Sequence, residues 1–173
     1  MRVAILSDTH GFVDPRIADR VAECEYAVHA GDIGGADVLL ALHPRKQLLA
    51  VRGNNDSNDK WAPHERHFLE TLPEEARLDL PGGQLIAVHG HDAEPAAWRH
   101  TTLRRRYPEA RVICYGHSHR MVFDDETVPW VINPGAAGRT RTYGGPSFVI
   151  IDCAEEAWVV DVIRLPPRKY RSL

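Results

Sequence analysis

Asp8, His10, Asp32, Asn54, His89, His117 and His119 offer carboxylate, amide and imidazole donors in five short motifs. The motifs are Asp8-Thr9-His10, Gly31-Asp32, Gly53-Asn54-Asn55-Asp56, His89-Gly90-His91 and Gly116-His117-Ser118-His119. Oxygen mixed with imidazole nitrogen suits Mn, Fe, Zn or Ni better than Ca or Mg. One ion takes three or four protein ligands, so seven donors are enough for two. Two ions roughly 3.5–4 Å apart would clamp the attacking and leaving oxygens of a phosphoryl group. They would also lower the pKa of a shared water, so that hydroxide exists at neutral pH. Asp, Asn and Gly make ordinary turns as well. The weight therefore rests on the complete, ordered set and not on any one residue.

Each motif follows an apolar run: Val3–Ser7, Tyr26–Ala30, Leu48–Arg52, Leu85–Val88 and Val112–Tyr115. Residues i and i+2 of extended backbone point the same way, so Asp8 with His10, and His117 with His119, are expected to aim at one point. Gly31 and Gly53 let backbone turn sharply and approach closely. The first half alternates, with helices expected at Pro15–Cys24 and Gly35–Leu42 between three strands, a pattern that argues a parallel sheet. Short strands are expected at Phe68–Leu72 and Arg77–Leu80, then a turn at Pro81-Gly82-Gly83 and a strand at Gln84–Val88. A helix is expected over Pro95–Tyr107. Strands follow at Met121–Asp124, Trp130–Ile132, Ser147–Cys153 and Ala157–Leu165, the last two pairing across Ala154–Glu156. An α/β half joined to a mostly β half fits a two-sheet sandwich flanked by helices. Its strand ends would gather the motifs at one pole, where open α/β sheets bind ligands.

Other residues carry two readings each. His91 could face the substrate or brace a ligand, and His29 could support Asp32 or serve the core. His64 and His67 read as surface residues, and Trp61 as a packing anchor or a stacking platform. Arg139 and Arg141 could steer an anion or close structural ion pairs. Arg104-Arg105-Arg106 reads as the exposed end of a helix, where basic residues suit the dipole.

The 173 residues fit one domain, 1–165, with a basic tail at 166–173. A net charge of −3 makes no electrostatic case for nucleic acid or a membrane surface. Cys24, Cys114 and Cys153 are far apart in apolar runs and read as buried free thiols in a reducing compartment. The start has no signal-peptide pattern and no apolar run approaches 18 residues, so a cytoplasmic place is expected. Homo-oligomerisation stays open.

The five motifs in this order resemble the calcineurin-like metallophosphoesterases, and most of all the small single-domain bacterial and archaeal phosphodiesterases. Asn133-Pro134-Gly135, Arg141, Pro146-Ser147 and Ile151-Asp152 resemble that subgroup's C-terminal pattern, so the likeness runs from Val3 to about Asp152. The resemblance implies an α/β fold, a four-layer αββα sandwich of two mixed sheets flanked by helices. It implies that Asp8, His10, Asp32 and His119 hold one metal and that Asp32, Asn54, His89 and His117 hold a second, with Asp32 bridging. Two divalent ions are implied, manganese first, with Ni, Fe or Zn as alternatives. Catalytic weight would fall on Asp32 and Asn54, with His91 added from the residue reading. A hydroxide between the ions would attack a small phosphodiester. A phosphomonoesterase or nucleotidase, and a non-catalytic binding scaffold, are the other readings of such a chain. Many relatives carry His where this chain has Asn55, and that His protonates the leaving oxygen. Asp56 would then only brace the turn. Ala136 stands where the subgroup often has Ser.

Overall fold

Val3, Ala4, Ile5 and Leu6 have no exposed surface at all. A strand can be apolar on both faces only if both faces are covered. This strand, β1 (Arg2–Leu6), is the centre of the first sheet. The computed structural model describes residues 1–167. The sequence after Pro167, most of the expected basic tail, lies outside the described residues.

Helix α1 (Pro15–Val21) crosses from β1 to β2 (Tyr26–His29), and α2 (Ala36–Ala41) from β2 to β3 (Gln47–Ala50). Asp14 caps α1 by accepting from Arg16 N, and Pro15 occupies the first turn, where its missing N–H costs nothing. The three strands run parallel, as alternation predicts. On the other side of β1 lie two antiparallel strands, β9 (Ser147–Cys153) and β10 (Trp158–Arg164), joined across Ala154–Ala157. The first sheet therefore has the order β10-β9-β1-β2-β3. The second is built from β4 (Glu75–Leu80), β5 (Gly83–Val88), β6 (Val112–Cys114), β7 (Val122–Asp124) and β8 (Trp130–Asn133), in the order β4-β5-β6-β8-β7.

Alternation along the strands separates three cores. Ala4, Leu6, Phe148 and Ile150 face α1, α2 and α3 (Arg66–Thr71). Val3, Ile5, Val149 and Ile151 turn the other way, onto Leu85, Ala87, Val112 and Ile132 of the second sheet. Ile86, Ile113 and Val131 face α4 (Arg99–Arg106) through Leu103. Three cores between four layers make the αββα sandwich of two mixed sheets.

Three expectations need correction. Phe68–Thr71 lies in α3, with Leu72 as its C-cap, and is not a strand. Phe68, Leu69 and Leu72 share the outer core at helical spacing, and five residues are too few for periodicity to separate the two states. The Pro95–Tyr107 helix begins as a 3-10 turn at Ala96–Trp98 before α4. Arg104 is not simply an exposed helix end, because its guanidinium grips both oxygens of Asp124 on β7. The three cysteines are free and buried as expected. Among the described residues no helix is long and apolar enough to cross a membrane.

Ile5 sits in the core between the sheets with no exposed surface. Ile5→Ala should cost roughly 2–5 kcal/mol, read as a lower urea midpoint at unchanged m-value. A loss under about 1 kcal/mol would mean that this core does not lock the sheets together.

Candidate metal centre

The chain leaves β1 and β2 side by side. Asp8 N donates to Gly31 O at 3.0 Å, His10 N to Asp32 O at 3.0 Å, and Gly11 N to Ile33 O at 2.7 Å. These contacts carry Asp8, His10 and Asp32 to the pole where β3, β5 and β6 also end. Asp8, His10, Asp32, His117 and His119 all have left-handed backbone, with φ of 54°, 47°, 56°, 66° and 57°. Asp8 and His10 therefore converge through left-handed turns past the strand end, and not through extended backbone, whereas His117 and His119 part, His119 turning to His10 and His117 to Asn54. Non-glycine residues take that conformation at about 1–2 kcal/mol each, and such strain gathers at functional sites.

The side chains meet in two groups. In the first, His10 Nε2 is 3.0 Å from His119 Nε2 and 3.7 Å from Asp32 Oδ2, while His119 Nε2 is 3.5 Å from Asp8 Oδ1. The candidate ligand atoms of Asp8, His10, Asp32 and His119 lie within 4.8 Å of one another. In the second group, His89 Nε2 is 3.3 Å from Asp32 Oδ1 and 3.0 Å from Asn54 Oδ1, and His117 Nδ1 is 3.1 Å from Asn54 Oδ1. Asp32 thus turns one oxygen to each group.

The other ring nitrogens decide which lone pairs are free. His89 Nδ1 lies 2.8 Å from Ala30 O, and His119 Nδ1 lies 3.1 Å from Thr140 O. A proton on Nδ1 donates to the carbonyl and leaves Nε2 as an acceptor aimed into its group. Imidazole nitrogens and carboxylate oxygens that converge in this way are a donor set for a cation. The first group, Asp8, His10, Asp32 and His119, fits a divalent ion.

The chain matches the family model of the calcineurin-like phosphoesterase superfamily domain over residues 1–156. It belongs to that family. A probable metallophosphoesterase of Methanothermobacter thermautotrophicus is 25% identical over 182 residues, covering 100% of this chain and 98% of the relative. A phosphodiesterase of Methanocaldococcus jannaschii is 25% identical over 172 residues, covering 91% and 96%. Among solved structures, wild-type Vps29 of Entamoeba histolytica in complex with Zn superposes with a TM-score of 0.70 at 17% identity, covering 96% of this chain and 99% of that one.

Around the donors of this phosphoesterase lies a frame of hydrogen bonds. Asn55 holds both Asp32 oxygens, its backbone N on Oδ1 and its Nδ2 on Oδ2, each at 2.8 Å. Sequence reasoning missed this brace; the only signal was an amide next to the Gly-Asn pair. Lys60 in turn donates to Asn55 Oδ1. Asp56 accepts from Ile33 N, Gly34 N, Gly53 N and Trp61 Nε1 at 2.9–3.1 Å, tying the β2 and β3 loops together. Trp61 is accordingly a buried anchor. Ser7 Oγ, also missed, lies 2.7 Å from Asp8 Oδ2. A Cβ on Gly53 would stand 2.2 Å from Asp32 N, so only glycine fits there.

His91 is brought to the rim of the second group, its ring 5.6 Å from that of His89 and 6.3 Å from that of His117. Its Nδ1 is buried and finds no partner among the described residues. His29 stays outside both groups, buried, with Nε2 2.9 Å from Thr9 Oγ1. Arg141 Nη2 reaches His119 Nε2 at 2.9 Å. Arg139 instead lies over the Phe12 ring, 3.5 Å from its centre. His64 and His67 are exposed.

Burial pushes the Asp8 carboxyl up to about 7, against the pull of His89 and Ser7. Burial works the same way on Asp32, yet the hydrogen bonds and charge of His89, with those of Asn55, outweigh it and hold Asp32 well below the usual carboxylate range. The same pairing raises His89 above its ordinary value, although burial alone would lower it. Burial, then the Arg141 charge, brings His119 down to about 4. Burial also lowers His10 and His117.

A metal ion takes the carboxylate form of Asp8 and the neutral form of His89. As pH falls through about 7 it must displace a proton from Asp8, and His89, raised above its ordinary value, adds to that competition, whereas His119 competes only near 4. Metal affinity should therefore fall at least about tenfold per pH unit below 7 and level off above it. Calorimetry in buffers of different ionisation enthalpy should show at least about one more proton released at pH 6 than at pH 8.5. Equal release at both would contradict this ionisation pattern. Asp32→Asn should leave the circular dichroism spectrum intact but cut bound metal to about one ion per chain or fewer, because each group loses a carboxylate oxygen. Unchanged metal content in that variant would exclude a shared ligand.

Proposed function

We propose that this chain is a binuclear-metal phosphodiesterase. The reading rests above all on the single Asp32 carboxylate, whose Oδ1 faces His89 and whose Oδ2 faces His10. A phosphodiesterase among the relatives supports the choice of diesters. Asp8, His10, Asp32 and His119 would hold one ion, and Asp32, Asn54, His89 and His117 the other. The mixed oxygen and imidazole set suits Mn, Fe, Zn or Ni, and manganese is our first choice. When bound, the ions supply the activation of water and the stabilisation of charge on the phosphate oxygens.

The chain's own residues set the rest. Asn54 turns Oδ1 to the second group, which leaves its Nδ2 for a phosphate oxygen. Arg141, beside His119, adds a fixed positive charge where a phosphodiester anion would lie. His91 stands at the rim and can contact the ester or brace His117. Asn55 cannot protonate the leaving oxygen, for an amide is no acid at pH 7 and both ends of this one are engaged. The buried free thiols suit a reducing compartment, and we place the protein in the cytoplasm.

Without a general acid the departing oxygen leaves as an anion or takes a proton from water. General acids contribute about 10²–10⁴-fold. Aryl phosphodiesters should therefore turn over well and simple alkyl diesters poorly, with log rate falling steeply against leaving-group pKa. Asn55→His should flatten the line by helping the poor leaving groups most. A flat wild-type line that steepens in His91→Ala would transfer the acid role to His91. Failure to hydrolyse any diester, with monoesters turned over, would overturn the diesterase reading.

A further inference from the structure

Arg99 opens α4 with only 5% of its surface exposed. Its guanidinium carbon lies 5.8 Å from the centre of the Tyr115 ring. The same ring touches the His89-Gly90-His91 loop so closely that a Cβ on Gly90 would meet it at 3.1 Å. Tyr115 also lies two residues before His117. Arg99 therefore stands against Tyr115, near enough for its charge to act on His117.

A buried guanidinium ordinarily has its donors satisfied. Arg99 does not, since its Nε is buried and without a partner among the described residues. Its Nη2 donates to Glu94, whose side chain is 51% exposed. Nearby Asp124 offers nothing further: Arg104 takes both of its oxygens, and His100 Nδ1 lies 2.6 Å from one of them. One buried cation beside the site is thus neutralised by a single surface carboxylate, carried on the loop that joins His91 to α4. Trp98, its neighbour, stands 63% exposed and gives an apolar body something to lie against.

We infer that Arg99 determines specificity at this site: its guanidinium receives a negatively charged group on the substrate's alcohol, in the place that Glu94 otherwise takes. If the site is the diesterase proposed above, its substrates are then diesters in which one alcohol carries a carboxylate or a further phosphate. A charge-assisted hydrogen bond from a largely buried donor is strong enough to select such a group.

The test uses the manganese-reconstituted protein and three p-nitrophenyl phosphodiesters. The second alcohol is ethyl, 2-carboxyethyl or 2-(trimethylammonio)ethyl. Wild type should favour the carboxyethyl ester over the ethyl ester by about ten- to a hundredfold in kcat/KM, carried by KM, with the cationic ester last. Arg99→Gln should bring the carboxyethyl-to-ethyl ratio close to one. Calorimetric binding of 2-carboxyethyl phosphate relative to ethyl phosphate should weaken by the same factor. Glu94→Gln, a surface change, should raise the ratio by removing the internal competitor, which keeps the question open to test even if Arg99→Gln does not fold. A ratio that survives Arg99→Gln, or that Glu94→Gln leaves unmoved, overturns the assignment. Equal turnover of all three esters by wild type overturns it alone, whereas no turnover of any diester brings down the diesterase reading with it.

Discussion

Asp32 is a carboxylate with 1% of its surface exposed, and it must remain ionised while serving two groups of ligands. A buried charge survives only when its oxygens are hydrogen-bonded or paired. Asn55 supplies one bond to each oxygen from its backbone and its amide, while His89 and His10 lie beyond them. The requirement spreads outward. Gly53 must lack a side chain because its backbone lies directly against Asp32. Asp56 must bind the two loops so that Asn55 arrives at the right place. Arg52 Nε, donating to Asp56 O at 2.9 Å, closes that loop from behind.

The candidate ligands come from both sheets. Asp8, His10, Asp32 and Asn54 follow strands of the first, whereas His89, His117 and His119 follow strands of the second. Each group mixes the two, so the core between the sheets sets the distance across each group. The backbone shows how much that precision costs. Five non-glycine residues in left-handed conformation amount to roughly 5–10 kcal/mol of unfavourable backbone, comparable with the whole stability of a typical domain. Only the surrounding packing and the paired loops can hold them there.

Asn55 links two consequences that look separate. Its amide cannot act as an acid, so in the proposed diesterase this position gives the leaving oxygen no proton. The same amide reaches Asp32 Oδ2 and steadies the carboxylate between the groups. Arg141 sets a positive charge at His119, beside the carboxylates of Asp8 and Asp32, in a chain whose net charge is −3.

The donor residues were legible in the sequence because a polar side chain that ends an apolar run is a local signal. So were the parallel βαβαβ half, the β9–β10 hairpin and the bracing roles of Asp56 and Trp61, which depend on period and turn chemistry within a few residues. Helix α3 was not, since Phe68, Leu69 and Leu72 suit either state until α2 and β3 lie beside them. Left-handed backbone at Asp8, His10, Asp32, His117 and His119 was not either, because nothing in those residue types demands it and neighbouring loops impose it. Asn55 on Asp32, Arg141 on His119 and Arg99 under Tyr115 were equally invisible. His10 and His119 stand 3.0 Å apart across 109 positions of chain. Sequence pattern determines which faces of each element are apolar and where each element stops. Which stopping points meet is decided only when two sheets pack face to face, because that packing is summed over the entire inter-sheet core and is written at no single position.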